Sequence, residues 1–222
     1  MKLITFGDDP SKIIGLKSEY INIGLGKKYI DLFSKFEALK EYVETVDPQE
    51  ILIFVDGYDV VQRKPLDNFE TKFTEFGADL VFSSEVYCWP NPWIAYQFPP
   101  GKGPYRFPNS GTFVGYAWAI KKMLEWDMYR INHDDQGYVH DFYLRSRGPP
   151  VVVQDYEQVL FQTGTGIRWS VLDTCQAWFV HFNGKSHHKK DGTSVLPEFA
   201  AGLPIGGIEQ WHTVPLNIFQ NS

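Results

Sequence analysis

Short apolar runs bounded by turn residues alternate along this chain with longer stretches whose apolar positions recur every three or four residues. Runs of the first kind predict strands at 3–6, 20–24, 51–55, 79–83, 112–116, 151–153, 158–161 and 178–182. The second kind predicts helices. Leu32, Phe36, Leu39, Val43 and Val46 mark one between 31 and 46, closed by Asp47-Pro48. Leu66, Phe69, Phe73 and Phe76 mark another, ended by Gly77, and "AIKKMLEWDMY" and "DQGYVHDFYLR" follow the same logic less regularly. Helix after strand after helix implies an α/β domain, its sheet mostly parallel with helices on both faces. Two regions break the rhythm. Residues 90–111 are dense in Pro, Gly and aromatics, a long loop of the kind that is usually functional or mobile, and the stretch from about 185 reads as an irregular tail with a basic start.

With 222 residues, 43% of them hydrophobic, the chain is long enough to bury a sizeable core, and a single domain over 1–222 is expected. A net charge of −6 argues against an electrostatic grip on a nucleic acid polymer. No apolar run is long enough to insert into a membrane, and "MKLITFGDDP" is too short in apolar residues for a signal-peptide core, so a soluble, cytoplasmic protein is expected of the sequence as it stands. Cys88 and Cys175 can make at most one bridge with each other, and the sequence leaves open whether they do.

The run "ILIFVDGYDVV" ends a buried strand in two carboxylates. Side chains alternate along a strand, so Asp56 and Asp59 converge only if Gly57 turns the chain at the sheet's carboxyl edge, where open α/β folds bind ligands. Converging carboxylates suit a hard or borderline divalent cation. The plain alternative is a turn capped by Asp56 with Asp59 solvated, and on this run alone that reading is the better one. "WFVHFNGK" then repeats the pattern: an apolar run ends in His181 before an Asn-Gly turn. A core histidine is the plain reading. If the two strands are parallel neighbours, however, Asp56, Asp59 and His181 meet at one edge as a set fit for Mn²⁺ with positions open to phosphate oxygens.

The blocks "IGLGKKY", "FVDGYDV", "FSSEVYCWP", "RFPNSGTFVGYA", "HDDQ" and "VHFNG", in this order, resemble the glycosyltransferase domain of the multifunctional procollagen lysyl hydroxylase/glycosyltransferase family, from Leu3 to about Lys189. The resemblance implies a GT-A type, Rossmann-like fold in a stand-alone relative. It implies an Mn²⁺-dependent transfer of glucose or galactose from a UDP-sugar to hydroxylysine or galactosyl-hydroxylysine of a collagen-like polypeptide. That family works in the endoplasmic reticulum lumen. On the matching positions, Asp56, Asp59 and His181 are the metal ligands, Thr5, Phe6, Tyr29 and Tyr58 approach the nucleoside, and Asn183 and Gly184 approach the diphosphate. Lys185, with Lys189 and Lys190, either adds positive potential there or belongs to a solvated basic loop. Asp134 or Asp135 orients or deprotonates the acceptor hydroxyl, or the pair serves as a helix cap. Glu85 and Trp89 are candidates for sugar or acceptor contacts, Asn109 and Ser110 for further donors in that pocket, and Gly111 for a backbone requirement. Phe182, where relatives carry a smaller residue, is expected to narrow the pocket. A sugar-nucleotide or collagen-binding module of the same fold without transfer activity is the alternative function.

Overall fold

The computed structural model describes residues 1–101, 103–126, 134–184, 186 and 194–202. Its main sheet takes β1 (Lys2–Phe6), β2 (Ile21–Asn22), β3 (Ile51–Asp56), β5 (Leu80–Glu85), β6 (Phe107–Tyr116) and β7 (Val152–Asp155) in the order β2-β1-β3-β6-β5-β7. Five of these strands run in one direction, and β6 alone runs against both its neighbours. A smaller sheet packs beside it, with β4 (Val60–Gln62), β9 (Phe179–His181) and β8 (Phe161–Thr163) in the order β4-β9-β8.

The period-two alternation of the strands sorts the core into layers. Ile4, Leu52, Phe54, Phe82 and Phe113 face helices α1 (Ser34–Val43), α3 (Ala117–Leu124) and α4 (Asp135–Arg145). Leu3, Ile51, Ile53, Val55 and Val114 face the other way, onto α2 (Phe69–Thr74) and the small sheet. The small sheet's outer side is closed by α5 (Trp169–Thr174) and α6 (Leu196–Ala200), whose Leu172, Leu196 and Phe199 cover Val61, Val180 and Phe182. Phe182 is therefore a core residue packed edge-on against Phe199, 5.0 Å between centroids, and does not narrow a pocket.

Three departures from the predicted elements have local causes. Residues 158–160 are not strand: the Asp155 carboxylate accepts hydrogen bonds from the backbone amides of Val159, Leu160 and Phe161 at 2.7–3.0 Å, which wraps the chain into a loop and delays β8 to Phe161. Strand β4 was not expected, because "VVQ" is too short to show a period. It forms because Gly57 lets the chain turn: a Cβ there would stand 2.4 Å from the Phe6 carbonyl oxygen. Strand β9 pairs antiparallel with β4 in the small sheet, so it is not a parallel neighbour of β3. The expected helix beyond Leu124 falls partly on residues 127–133, outside the described residues, as does most of the basic stretch after 185. No helix among the described residues is long and apolar enough to cross a membrane. Both Cys88 and Cys175 are free thiols, the first in the segment between β5 and β6 and the second just after α5.

Candidate metal and donor site

Strand β3 delivers Asp56 at its carboxyl end, the Gly57-Tyr58 turn brings back Asp59, and β9 delivers His181 directly opposite Val60. The Phe182 amide donates to the Asp59 carbonyl at 2.8 Å, which locks the turn to the strand that carries the histidine. His181 Nε2 stands 3.4 Å from Asp59 Oδ1 and 3.7 Å from Asp56 Oδ2. One ligand atom from each of the three residues lies within 4.8 Å of the others. Two ligands at right angles, each about 2.1 Å from a small divalent cation, stand about 3 Å apart, so the set fits one with little movement. Hence the three residues meet across two sheets, by an antiparallel hairpin-like pairing and not by the parallel adjacency that their sequence pattern suggested.

The histidine's orientation is settled by Asn109. That amide oxygen accepts from the Gly111 amide at 2.9 Å, so it must also accept from His181 Nδ1, 3.0 Å away, which leaves Nε2 facing the carboxylates. Asn109 is at the site because the β5·β6 pairing jumps from Phe82↔Phe113 to Ser83↔Asn109, which bulges the intervening residues of β6 toward His181. A Cβ on Gly111 would lie 2.2 Å from His181 Cε1 and 2.5 Å from Asp56 Oδ2, so only glycine fits beneath the ligands.

Behind this face lies a buried polar network. The Asn109 amide donates to Glu85 at 3.3 Å and to Gln136 Oε1 at 3.0 Å, Gln136 donates to Glu85, and Asn183 donates to the second Glu85 oxygen at 2.7 Å. Glu85 is 3% exposed, so it holds Asn109 and Asn183 in place and offers no surface to a sugar, contrary to expectation. Burial pushes its carboxyl up to about 7, against the opposing hydrogen bonds from Gln136 and Asn109. Asn183 is engaged likewise: besides Glu85 it accepts from the Gly164 and Thr165 amides at 3.2 and 3.0 Å. Gly184, beside it, is exposed with a φ of +66°.

Lys35 is the residue that sequence reasoning passed over. Its ammonium, on α1, lies 2.8 and 3.1 Å from the two Asp56 oxygens and 2.6 Å from Asp135 Oδ2. Burial opposes its charge, but Asp135 and Asp56 outweigh burial and hold it charged well above the ordinary lysine range. Burial likewise raises Asp56 against the pull of Lys35 and His181. Burial would depress His181, yet Asp59 and Asp56 raise it. A signal was present: Lys35 lies three after Leu32 and next to Phe36, inside the apolar stripe of its helix, where a charge must find partners.

Lys35 also redefines the two aspartates after it. Asp135, buried, accepts from Lys35 and from Ser110 Oγ at 2.7 Å, and Asp134 caps α4 by accepting from the Gly137 amide at 2.7 Å. Neither is a free base. The expected nucleoside contacts are similarly occupied. Thr5 is buried with its hydroxyl on the Val55 carbonyl at 2.8 Å, and the Phe6 ring packs into the core. Tyr58 donates to the Asp8 carboxylate and accepts from the Asp9 amide at 2.8 Å. Tyr29, half exposed and 6.5 Å from the Phe6 ring, and Trp89, 63% exposed, keep open aromatic faces. Lys185 lies outside the described residues.

The mostly parallel sheet with its reversed central strand and covering helices is a fold of the GT-A type. The chain belongs to the PLOD GT domain family, whose model matches residues 6–182. It is 36% identical over 135 residues to the procollagen-lysine,2-oxoglutarate 5-dioxygenase of Drosophila melanogaster, a match covering 60% of this chain and 18% of that protein. It is 37% identical over 112 residues to the multifunctional procollagen lysine hydroxylase and glycosyltransferase LH3 of Rattus norvegicus, covering 50% of this chain and 15% of that one. The chain thus matches less than a fifth of the length of these relatives. Among solved structures, a glycosyltransferase involved in the glycosylation of the major capsid of PBCV-1 superposes with a TM-score of 0.50 at 15% identity, over 83% of this chain and 93% of that one.

Proposed function

We propose that this domain transfers a hexose, glucose or galactose, from a UDP-sugar to hydroxylysine or galactosyl-hydroxylysine of a collagen-like polypeptide, with Mn²⁺ held by Asp56, Asp59 and His181. The observation that carries the reading is the meeting of those three side chains, from two sheets, at one carboxyl edge. Family membership supports the reaction class. A mixed set of two carboxylates and one imidazole suits a borderline divalent cation. Such a cation, when bound, stabilises the negative charge that develops on a departing diphosphate.

The protein's own groups prepare that edge. Lys35 holds both oxygens of Asp56 in one orientation, and Asn109 holds His181 with Nε2 outward. Glu85 fixes Asn109 and Asn183 together, so the ligand strand and the following turn move as one piece. Because Asp134 and Asp135 are both committed to structural partners, the arrangement favours a transfer in which no protein carboxylate removes the acceptor proton. The same commitment is what favours the second reading, a module that binds sugar nucleotide without turning it over.

A panel of UDP-sugars scored for UDP release with Mn²⁺, with and without a hydroxylysine peptide, tests the proposal. Acceptor-dependent release with one hexose donor is expected, and Asp56→Ala, Asp59→Ala or His181→Ala is expected to abolish it. Wild-type-like turnover in any of the three overturns the site. Calorimetric binding of UDP and Mn²⁺ with no turnover on any donor supports the binding module instead.

A further inference from the structure

Between Glu85 and residue 102 the chain contains no Asp, Glu, Lys, Arg or His: Val86 to Gly101 reads "VYCWPNPWIAYQFPPG". Tryptophan is highly buried on average, and tyrosine is intermediate. Here Trp89, Trp93 and Tyr96 are 63%, 84% and 81% exposed. The two residues between the last pair face inward: Ile94 and Ala95 pack against the buried cluster of Cys88, Phe98 and Phe107. The cause is helical geometry. Pro92–Gln97 forms a 3₁₀ turn, in which residues three apart eclipse, so Trp93 and Tyr96 lie on one side of it.

The turn is tied to its backing by hydrogen bonds and ring contacts. The Asn91 side chain accepts from the Trp93 amide at 3.1 Å, and Phe98, 1% exposed, anchors the turn's end between Phe107 and His140. The Arg106 guanidinium donates to the carbonyls of Phe98 and Pro99 at 2.7 and 3.1 Å. At its start the turn joins the site: Gln136, which bonds Glu85 and Asn109, also donates to the Trp89 carbonyl at 3.3 Å. Large rings held open on a fixed support lose little conformational entropy when a ligand stacks on them.

We propose that Trp93 and Tyr96, continuing from Trp89, form a platform for the acceptor polypeptide: an extended, proline-bearing chain whose modified residue enters the site while its flanks stack on these rings. The inference rests on the transferase reading for what the chain presents to the site, and on this surface for how the chain is held. The absence of charge across Val86–Gly101 selects a flank that is itself uncharged, and proline-rich chains in the polyproline II form dock on exposed aromatics with little left to order. The platform residues set affinity for the polypeptide and touch none of the reacting atoms.

The experiment uses the full chain and, as probe, a proline-rich peptide carrying one hydroxylysine, with a control peptide in which serines replace the prolines. Binding is measured first without donor or metal. The proline peptide is expected to bind more tightly than the control, Trp93→Ala with Tyr96→Ala is expected to weaken it about tenfold, and Trp93→Phe with Tyr96→Phe to retain most of it. With donor and Mn²⁺ present, the alanine pair raises KM for the peptide by about the same factor while kcat stays within about twofold. Equal binding of the proline peptide by wild type and the alanine pair overturns the platform. So does a loss of concentration-dependent self-association in that variant with peptide binding unchanged, which assigns the rings to a second copy of the chain. Peptide binding that depends on the rings, in a protein that transfers no sugar, overturns the transferase reading and leaves the platform standing.

Discussion

The metal end and the aromatic rim of this domain are linked through Gln136 and are built on opposite plans. At the metal end the groups behind the three ligands are charged or polar, buried and paired: Lys35 with Asp56 and Asp135, Asn109 with His181 and Glu85, Asn183 with Glu85 and two amides. Along the rim the side chains are uncharged, aromatic and open to water, over a buried apolar footing. The difference teaches where each end draws its specificity. Paired buried charges fix geometry at the cost of desolvation, as the proposed hold on a cation and a diphosphate requires. Exposed rings on a fixed support fix nothing about their ligand's register, and suit a repetitive polymer.

The most damaging way to break this contrast is to remove one charge from the buried set. Lys35→Met leaves Asp56 and Asp135 facing each other without their cation, and breaking such a pair typically costs about 3–5 kcal/mol. Urea unfolding at neutral pH is expected to show a loss of this order, and Asp135→Asn added to Lys35→Met is expected to recover part of it. An unchanged urea midpoint in the single variant contradicts the buried pairing.

A smaller effect is expected one layer out. Asn109 touches no ligand of the proposed cation except through His181, whose ring it orients. Asn109→Ala frees that ring to turn, and loss of such a partner typically costs about 10–100-fold in metal affinity. Titration of Mn²⁺ into wild type and variant by calorimetry checks it, with Asn109→Asp, which keeps an acceptor for Nδ1, expected to fall between the two.

The rim's footing has a titratable member, and acid distinguishes the two ends. His140 lies under Phe98, 4.9 Å between ring centroids, with Nε2 3.0 Å from the Pro108 carbonyl. Burial pushes its pKa down to about 4, against the hydrogen bond to Pro108. With the folded value below the unfolded one, the unfolded chain binds the extra proton. The stabilisation is complete above the unfolded pKa near 6.5 and is lost as pH falls toward 4, and the loss by pH 5 is about 2 kcal/mol. Unfolding free energies from urea titrations at pH 7.5 and 5 are expected to differ by this much more in wild type than in His140→Gln, which keeps a donor and cannot charge.

How far these two ends were legible follows from what each residue type can reveal. Asp56, Asp59 and His181 stood out because apolar runs ended in ligand-type side chains. How they meet was hidden, because the pairing of β9 with β4 depends on a three-residue strand that no periodicity marks. The commitments of Asp134, Asp135, Glu85 and Asn183 were equally hidden. A carboxylate or amide at the end of a strand or the start of a helix reads the same whether it faces ligand or protein. The buried lysine that claims Asp135 stands in the sequence inside an apolar stripe, a position where a charge needs a partner. The break in rhythm from 90 was legible by its composition, but the loop ends at 106, where β6 begins, and which of its rings face out depended on a 3₁₀ turn.

Tyr58 sits at the boundary between the two plans, an exposed aromatic residue between two of the proposed ligands. Its ring leans on the turn after β1, where a Cβ on Gly7 would come within 3.0 Å of Cε1, and its hydroxyl bridges the Asp8 carboxylate and the Asp9 amide, 2.8 Å away. Burial and the bond to Asp8 raise its phenol pKa, so the hydroxyl stays protonated across the physiological range. A hydroxyl already engaged by two groups of the protein has little left for a uracil ring. Tyr58→Phe removes that bridge, one of whose bonds goes to a carboxylate, at a solvent-exposed position where screening holds its contribution to about 1–2 kcal/mol, and leaves the ring in place. The variant is expected to lose stability by no more than that in urea and to bind UDP within about twofold of wild type. A tenfold loss of UDP affinity at unchanged stability instead assigns the hydroxyl to the nucleotide and moves Tyr58 from the packing of the turn into the binding surface.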